Sequence, residues 1–290
     1  MLQWYIFAFC SVFFKVLFQI GRKKALTKVH AMNFESLRTL FVALLCLLLI
    51  PFIDFNFDKS TLVIVYIVSL IATIGILYAS KAIKHGDISL ISPLGNIKPA
   101  FVAIIAMAFL SETLGTKQII GILLLLVATY LLESDHHFSN FVAPIKHMLK
   151  SKYSLFFLFA MFLFAICSVL DKFILTYKIT NIYTYFFFIW IFLAINFNIV
   201  HSFMYGFKDT IKCFKKTKQL GFFVALFSMG GNLLAYKAIS LANVSLVIPI
   251  LMLKTFFVVL FGGRFFHERY LYFRLFVSSI MLVGAYLIII

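Results

Sequence analysis

Two lysines lie at matching points of long apolar stretches and could place positive charge inside a membrane. Lys98 lies near the middle of the stretch 88–110, and Lys254 lies in the stretch 244–266. About ten residues, or roughly 15 Å of helix, separate Lys98 from either end of its stretch. A lysine side chain spans only about 6 Å, so it cannot carry its ammonium group to the membrane surface. Since an ammonium group at this depth costs about 3 kcal/mol, the pair predicts a water-filled cavity or a bound anion.

Carboxylates that could pair with these lysines are scarce. Asp171 is the one deep carboxylate, and we expect Lys172 and Lys15 to compete for it. A buried ion pair, or a neutral amine that holds helices together, is the alternative to an anion site. Two ammonium groups that converge on one cavity would suit a phosphate or a dicarboxylate.

The other carboxylates in apolar surroundings are predicted to have local roles. Glu35 lies one turn before Arg38 and is expected to pair with it. Glu112 and Glu268 are predicted at helix ends, where they can face water.

The composition places the whole chain in a membrane. Of its 290 residues, 63% are apolar and only 12% are charged, which excludes a water-soluble globule of this size. A helix needs roughly 20 mostly apolar residues to cross a bilayer. Ten such stretches are present, at 2–20, 34–53, 61–82, 88–110, 118–132, 154–176, 182–200, 220–239, 244–266 and 270–290. The predicted fold class is an all-α integral membrane protein with ten transmembrane helices.

The positions of the basic residues predict the topology. The net charge is +16, and sixteen of the 26 Lys and Arg residues fall in the odd-numbered loops or, for Arg264 and Arg274, at their edges, against Lys59, Lys117 and Lys178 in the even-numbered ones. By the positive-inside rule the odd loops are cytoplasmic, and both termini lie outside the cytoplasm of an inner-membrane protein. The basic excess follows from topology and from affinity for anionic headgroups, so no nucleic-acid partner is expected.

The sequence contains an internal repeat. A shift of 156 residues overlays Lys81 on Lys237, Pro93 on Pro249, Lys98 on Lys254, Glu112 on Glu268 and Tyr130 on Tyr286. The predicted repeats are 1–135 and 150–290, joined by the loop 136–149. Because each repeat holds five helices, the second enters the membrane from the opposite side, which makes an inverted-topology repeat. Lysines related by its pseudo-two-fold axis would face one cavity together.

These residues resemble the EamA-like transporters of the drug/metabolite transporter superfamily, which have ten helices in two five-helix repeats. The family signature in the fourth and ninth helices is a Glu-Pro pair followed, fourteen residues after the Glu, by a second Glu that Gly usually precedes. This spacing is kept by Lys98, Pro99 and Glu112, and by Lys254, Thr255 and Glu268.

The chain departs from that signature in informative ways. Both inner Glu positions carry Lys, and the Gly positions carry Ser111 and His267. A lysine late in the first helix is also common in the family. With a shift of 157, "FAFCSVFFK" ending at Lys15 overlays "FAICSVLDK" ending at Lys172, and these lysines look like its two copies.

Prolines near the two central lysines indicate interrupted helices. Pro93 and Pro249 lie about a turn into their helices, where proline removes a backbone hydrogen bond and can kink the chain. Asn96 follows a glycine and adds local freedom, and it is also a candidate substrate contact. We take Pro93, Pro99 and Pro249 as candidate hinge or gating residues. A simple packing kink is the alternative.

These features favour a secondary transporter that moves a small anionic metabolite, phosphorylated or carboxylate, or a zwitterionic one, by alternating access. Lys98 and Lys254 are the predicted counter-charges, and the further substrate-binding candidates are Lys15, Lys172, Asp171 and Asn96. No GxxxxGK[ST] loop is present, so ATP does not drive the process directly. Energy would come from exchange or an ion gradient, with Asp171 as the candidate for proton coupling.

Two other functions stay open at this point. A flippase for a phosphate-bearing lipid would also need cationic groups in the membrane, and a polytopic membrane enzyme could act on lipids. We expect no enzyme activity, because no acid, His or Ser cluster lies at a membrane face. The expected partners are the substrate and the lipid bilayer, without a metal or cofactor, in a monomer or homodimer.

Overall fold

The structure is a computed structural model that describes residues 4–85, 92–133, 151–258 and 271–290. Its described residues are helical apart from turns and loops, and no strand occurs among them. The helices are α1 Trp4–Leu26, α2 Ala31–Cys46, α3 Ser60–His85, α4 Lys98–Leu110, α5 Thr116–Glu133, α6 Lys152–Tyr177, α7 Ile182–Tyr205, α8 Phe207–Leu241, α9 Val244–Leu251 and α10 Leu271–Ile289.

Six helices are long and apolar enough to cross a membrane. They are Trp4–Leu26, Ala31–Phe52, Ser60–His85, Lys152–Tyr177, Ile182–Tyr205 and Lys208–Leu241. Shorter apolar helices occupy Leu94–Leu110, Thr116–Leu131, Val244–Val258 and Ser279–Ile289. The sequence therefore predicted the all-helical membrane class correctly, and each of its ten apolar stretches overlaps one of these helices. The inverted repeat, with boundaries 1–135 and 150–290, stays a prediction.

Local sequence explains where several helices begin and end. The Asn181 side chain accepts hydrogen bonds from the backbone N–H groups of Tyr183 and Thr184, at 2.9 and 3.2 Å, and so caps the start of α7. At its other end α7 stops at Gly206, whose φ of 81° suits glycine. Pro51 lies in the 3₁₀ turn Leu47–Phe52, where its missing N–H ends the second span.

The chain forms two compact units, and each draws on both halves of the sequence. The first contains Met1–Ile74 and Leu170–Leu241, and the second contains Gly75–Val169 and Ala242–Ile290. In the first unit α8 packs against α1 and α2, and α2 packs against α7. In the second unit α5 packs against α10, and α4 packs against α9.

Glycines allow close packing inside the first unit. The sequence MGGN at 229–232 predicts a close helix approach. A Cβ atom at Gly231 would lie 3.1 Å from Cγ of Lys15, and one at Gly230 would lie 3.0 Å from the Phe14 ring. Ser11 donates a hydrogen bond of 2.6 Å to the Gly231 carbonyl. Helices α1 and α8 therefore meet almost backbone to backbone, as this sequence predicts.

In the second unit Gly121 of α5 and Gly284 of α10 face each other. A Cβ atom at Gly121 would lie 2.6 Å from the Gly284 carbonyl oxygen, and one at Gly284 would lie 2.9 Å from the Gly121 carbonyl oxygen. Both distances are shorter than real Cβ contacts, so the two helices would have to separate to accept a methyl group.

Replacing Gly121 with alanine is therefore expected to lower the free energy of unfolding by about 1–3 kcal/mol, the usual cost of overpacking. Thermal unfolding of the detergent-purified protein measures it. The matched control is Gly115→Ala, because the nearest atom to a Cβ at Gly115 is 3.8 Å away, on Gln118. Equal melting temperatures for the two variants would show that the α5–α10 contact is not tight.

Candidate functional site

Lys98 lies where a 3₁₀ turn passes into an α-helix, so the described part of the stretch 88–110 is not one uniform α-helix. Residues Ser92–Ile97 form a 3₁₀ turn, and α4 starts at Lys98. Pro99 is therefore at the start of α4, where a missing N–H is harmless and the fixed φ suits the first turn. Pro99 starts this helix rather than kinking it. The backbone of Pro93 lies in the 3₁₀ turn, and its ring lies outside the described side chains.

Lys254 also follows an interrupted helix. Helix α9 ends at Leu251, the chain turns at Met252, and helical structure resumes and continues to Val258. The Met252 N–H donates to the Pro249 carbonyl and the Thr255 N–H to the Met252 carbonyl, both at 2.9 Å and both three residues apart. Pro249 lies inside α9, next to this break. Both lysines thus stand directly after a change in helix type, at points related by the 156-residue shift.

The segments around the two breaks pack together within the second unit. Helix α4 contacts α9, and the 3₁₀ turn before α4 contacts α5. A narrow gap, with no room for a water molecule, lies between them and is lined in part by Asn96, Pro99, Thr129, Pro249 and Met252. The structure thus brings three predicted site residues, Asn96, Pro99 and Pro249, to one gap, which Lys98 and Lys254 do not line.

Asn96 projects a polar group into this region without a matching acceptor. Its side chain is buried, and its Nδ2 atom has no hydrogen-bond partner in the part of the chain that the structure describes. Unsatisfied buried amides are uncommon in proteins and call for an explanation. Two roles are predicted for Asn96, in flexibility and in substrate contact, and the second is compatible with an amide that has a hydrogen bond to offer.

The first unit contains the other predicted site residues. Asp171 is buried and accepts a hydrogen bond from the Tyr185 hydroxyl. The Lys172 ammonium group lies 3.5 Å from the Ser240 carbonyl oxygen. The Tyr185 ring packs against that of Tyr236, with centroids 5.3 Å apart. Tyr185 was not among the predicted site residues, because the bond to Asp171 joins α6 to α7 and no sequence spacing signals it.

Glu112 caps a neighbouring helix. The prediction that it faces water is therefore wrong. Its side chain is buried, and its carboxylate accepts hydrogen bonds from the N–H groups of Val244 and Ser245, at 2.8 and 3.1 Å. The Ser245 hydroxyl donates a third bond of 2.5 Å. The carboxylate thus satisfies the free N–H groups at the start of α9 and interacts favourably with its dipole. Glu268 lies outside the described residues.

A buried ion cluster joins α1 and α2 in the first unit. The predicted pairing of Glu35 with Arg38 is confirmed, with Arg38 Nε 2.7 Å from Glu35 Oε2. Arg22 Nε lies 2.8 Å from Glu35 Oε1, so one carboxylate neutralises two arginines in part. Arg22 was not predicted as a partner of Glu35. Its position near the end of α1, shortly before α2, could have indicated the contact.

The Arg38 guanidinium makes further contacts that hold it in place. It donates a 3.0 Å hydrogen bond from Nη1 to the Ser228 hydroxyl, and it lies 5.7 Å from the Phe18 ring centroid and 5.3 Å from that of Trp190. Arginine between aromatic rings gains cation–π attraction in addition to its ion pair. The cluster therefore has an excess positive charge that is fixed in a largely apolar surrounding.

Within the described ranges, no three His, Cys, Asp or Glu side chains lie close enough to hold a metal ion. His136 and His137, which the sequence places in the connecting loop, lie outside those ranges.

The long apolar helices and the interrupted ones define an all-helical, multi-pass membrane protein. Residues 2–134 match the EamA-like transporter family, which confirms the resemblance to that family.

Two individual proteins are similar to this chain. The uncharacterized protein MJ1333.1 of Methanocaldococcus jannaschii is 35% identical over 76 residues, which are 26% of this chain and 56% of that protein. The match thus spans about half the length of that relative. A crystal structure of a protein aligns with a TM-score of 0.69 and 11% identity, and covers 97% of this chain and 94% of the other. At that identity the likeness shows the fold alone.

Proposed function

We propose that this protein is a secondary transporter that moves a small anionic or zwitterionic metabolite across the inner membrane by alternating access. Lys98 and Lys254 provide the positive charge that binds the substrate. The observation that carries the proposal is the position of both lysines directly after helix breaks, on segments of the same compact unit.

The start of α4 explains why an anion suits this position. The free N–H groups of a helix N-terminus carry partial positive charge, and they favour negative groups. Lys98 adds a full positive charge at the same point, so an anion bound there would interact with both. Broken membrane helices hold anionic substrates in this way in several transporter folds. Lys254 adds the second charge from the neighbouring segment.

Alternating access follows from the predicted inverted repeat. Two five-helix repeats of opposite topology form the same site seen from either side of the membrane, and rocking one against the other changes the side that is open. We infer from the basic loops that the odd-numbered connections are cytoplasmic and that both termini lie on the other side. Asp171, held by the Tyr185 hydroxyl, is the candidate for coupling transport to protons.

The proposal is tested first by ligand stabilisation and then by transport. Purified protein is heated with phosphorylated sugars, dicarboxylates, nucleotides and amino acids. A ligand at about 100 times its dissociation constant raises the free energy of unfolding by about 2.7 kcal/mol, which a thermal shift detects. Uptake of the stabilising compound into proteoliposomes then measures transport. We expect Lys98→Ala and Lys254→Ala each to lose both the stabilisation and the uptake, since each removes one counter-charge.

The matched control is Lys81→Ala, which removes a lysine of the same unit that lies at a helix end and 5.5 Å from the Phe156 ring centroid. This variant should keep both readouts. Normal uptake in Lys98→Ala and Lys254→Ala, or stabilisation by cations alone, would contradict the proposal. Stabilisation by phosphate-bearing lipids, without any by soluble anions, would favour the flippase.

A further inference from the structure

An open groove runs along the outer surface of the first unit, between α2 and α7. It has a volume of about 600 Å³. On α7 its lining includes Ile191, Ala194, Ile195, Ile199 and Phe203. Ala194 and the others lie three, four, eight and twelve positions after Ile191, so these residues share one helix face. From the first to the last of these, the helix rises about 18 Å, roughly the length of a lipid acyl chain. We call this feature the α2/α7 groove.

The groove is apolar along most of its length, and its two polar lining residues lie toward the end of α7, which we call the polar end. Asn198 and Ser202 line it near the end of α7. The Asn198 amide is fixed, because its Nδ2 donates to the Thr39 hydroxyl at 3.0 Å and to the Ala194 carbonyl at 2.8 Å. Its Oδ1 accepts a 2.5 Å hydrogen bond from the Ser36 hydroxyl. The polar end is therefore a built feature of the helix pair and not a chance exposure of one side chain.

The start of α8 lies beside this polar end. The Thr210 hydroxyl lies 3.0 Å from the Ser36 hydroxyl and 3.4 Å from Nδ1 of His201. Thr217 has non-helical backbone angles, with φ −134° and ψ 16°, so a kink divides the first ten residues of α8 from its apolar remainder. This first part, 207–216, therefore forms a separate helix at the end of α7. We call it the basic segment.

The basic segment has the pattern of a helix that lies at a membrane surface. Thr210 and Cys213 are buried against the protein, whereas Ile211 and Phe214 are 44% and 43% exposed. The basic side chains of the segment and its end are exposed, and they are Lys208, Lys212, Lys215, Lys216 and Lys218. Exposed apolar residues beside lysines are typical of interfacial helices that bind anionic lipids.

We propose that the α2/α7 groove and the basic segment together bind one anionic phospholipid. An acyl chain lies along Ile195 and Ile199, and the phosphate lies at the polar end, near Ser202 and Lys208. Charge complementarity selects an anionic headgroup, because the exposed side chains of the adjacent basic segment include Lys208, Lys212, Lys215 and Lys216. Asp209 is the one nearby carboxylate in the described part of the segment, and it pairs with Lys212 at 3.0 Å. The site is separate from Lys98 and Lys254, which lie in the other unit.

The test compares two lipids that differ only in the headgroup, phosphatidylglycerol and phosphatidylcholine with identical acyl chains. Purified full-length protein is titrated with each, and thermal shifts and native mass spectrometry report binding. We expect the wild-type protein to bind phosphatidylglycerol with the higher affinity. Replacing Lys208 and Lys212 together with glutamine should weaken phosphatidylglycerol binding by at least about tenfold and leave phosphatidylcholine unchanged, because lysines near a headgroup attract only the anionic lipid.

A charge-matched control removes two exposed lysines from even-numbered loops. The variant with Lys59→Gln and Lys178→Gln has the same net charge and should keep the preference for phosphatidylglycerol. Ala43→Phe fills the groove, whose lining includes Ala43, and should weaken the binding of both lipids. These two results separate the contributions of the headgroup and the acyl chain.

Four outcomes would overturn the proposal. Equal affinity of the wild-type protein for the two lipids would show that no anionic headgroup is recognised. An equal loss in both lysine variants would show an effect of net charge alone. Stabilisation by soluble glycerol phosphate to the same extent as by the lipid would show a phosphate site without the groove. A lipid-free dimer that Ala43→Phe dissociates would show that a second copy of this chain fills the groove.

Discussion

Replacing Glu35 with glutamine is expected to lower the free energy of unfolding by about 3–5 kcal/mol, the usual cost of breaking a buried ion pair by removing one partner. The carboxylate lies within 2.8 Å of the Arg22 and Arg38 guanidinium groups, and both Glu35 and Arg38 are buried. Without it, the Arg38 charge stays between the Phe18 and Trp190 rings with only neutral partners around it. Thermal and denaturant unfolding in detergent measure the loss.

The exposed pair of Asp209 and Lys212 provides the control. Its nitrogen and oxygen atoms are 3.0 Å apart and its residues, like Glu35 and Arg38, lie three positions apart in sequence, but the Lys212 side chain is 73% exposed. Asp209→Asn should therefore change stability by less than about 1 kcal/mol. Adding Arg38→Met to Glu35→Gln should restore part of the stability, because the uncompensated charge is then gone. Similar melting temperatures for Glu35→Gln and Asp209→Asn would contradict the buried cluster.

The sequence predicted those features that depend on composition or on short spacing. The ten apolar stretches follow from composition, and the contact between Glu35 and Arg38 follows from their position one helical turn apart. The helix breaks were predicted in part, since prolines mark them. The start of an α-helix at Lys98 was not predicted. Pro99 can either kink a helix or begin one, and the preceding 3₁₀ turn decides between the two.

Contacts between distant segments could not be predicted in the same way. Glu112 reaches the start of α9, 132 residues later in the chain, and no local pattern indicates that pairing. Ser111 shows the same limit. It stands where the family usually carries glycine, and its φ of 53° lies in the left-handed region that favours glycine. The backbone turn at Ser111 directs Glu112 toward α9. The glycine position and the Glu position of the family signature are therefore explained here by the same turn.

The second large effect is expected at Glu112. Alanine at this position removes a carboxylate that accepts two backbone hydrogen bonds and one hydroxyl hydrogen bond at the start of α9. Each bond to a charged group contributes about 1.5–3 kcal/mol, and the N–H groups of Val244 and Ser245 would be left buried without acceptors. We expect Glu112→Ala to lower the free energy of unfolding by about 3 kcal/mol or more. Glutamine keeps one acceptor oxygen and should lose about half as much.

A graded control separates the cap from the hydroxyl contact. Ser245→Ala removes only the 2.5 Å bond from its hydroxyl and leaves both backbone bonds, so it should cost about 1 kcal/mol. If Glu112→Gln had the same melting temperature as the wild-type protein, the Glu112 carboxylate would not stabilise α9 as a cap. The cap also links stability to the proposed function, because α9 leads through the turn at Met252 to Lys254. Glu112→Ala should therefore also weaken the stabilisation by anions, because Lys254 is no longer held in position. Removal of the negative Glu112 charge alone would have the opposite effect and strengthen anion binding. The direction of the change distinguishes the two causes.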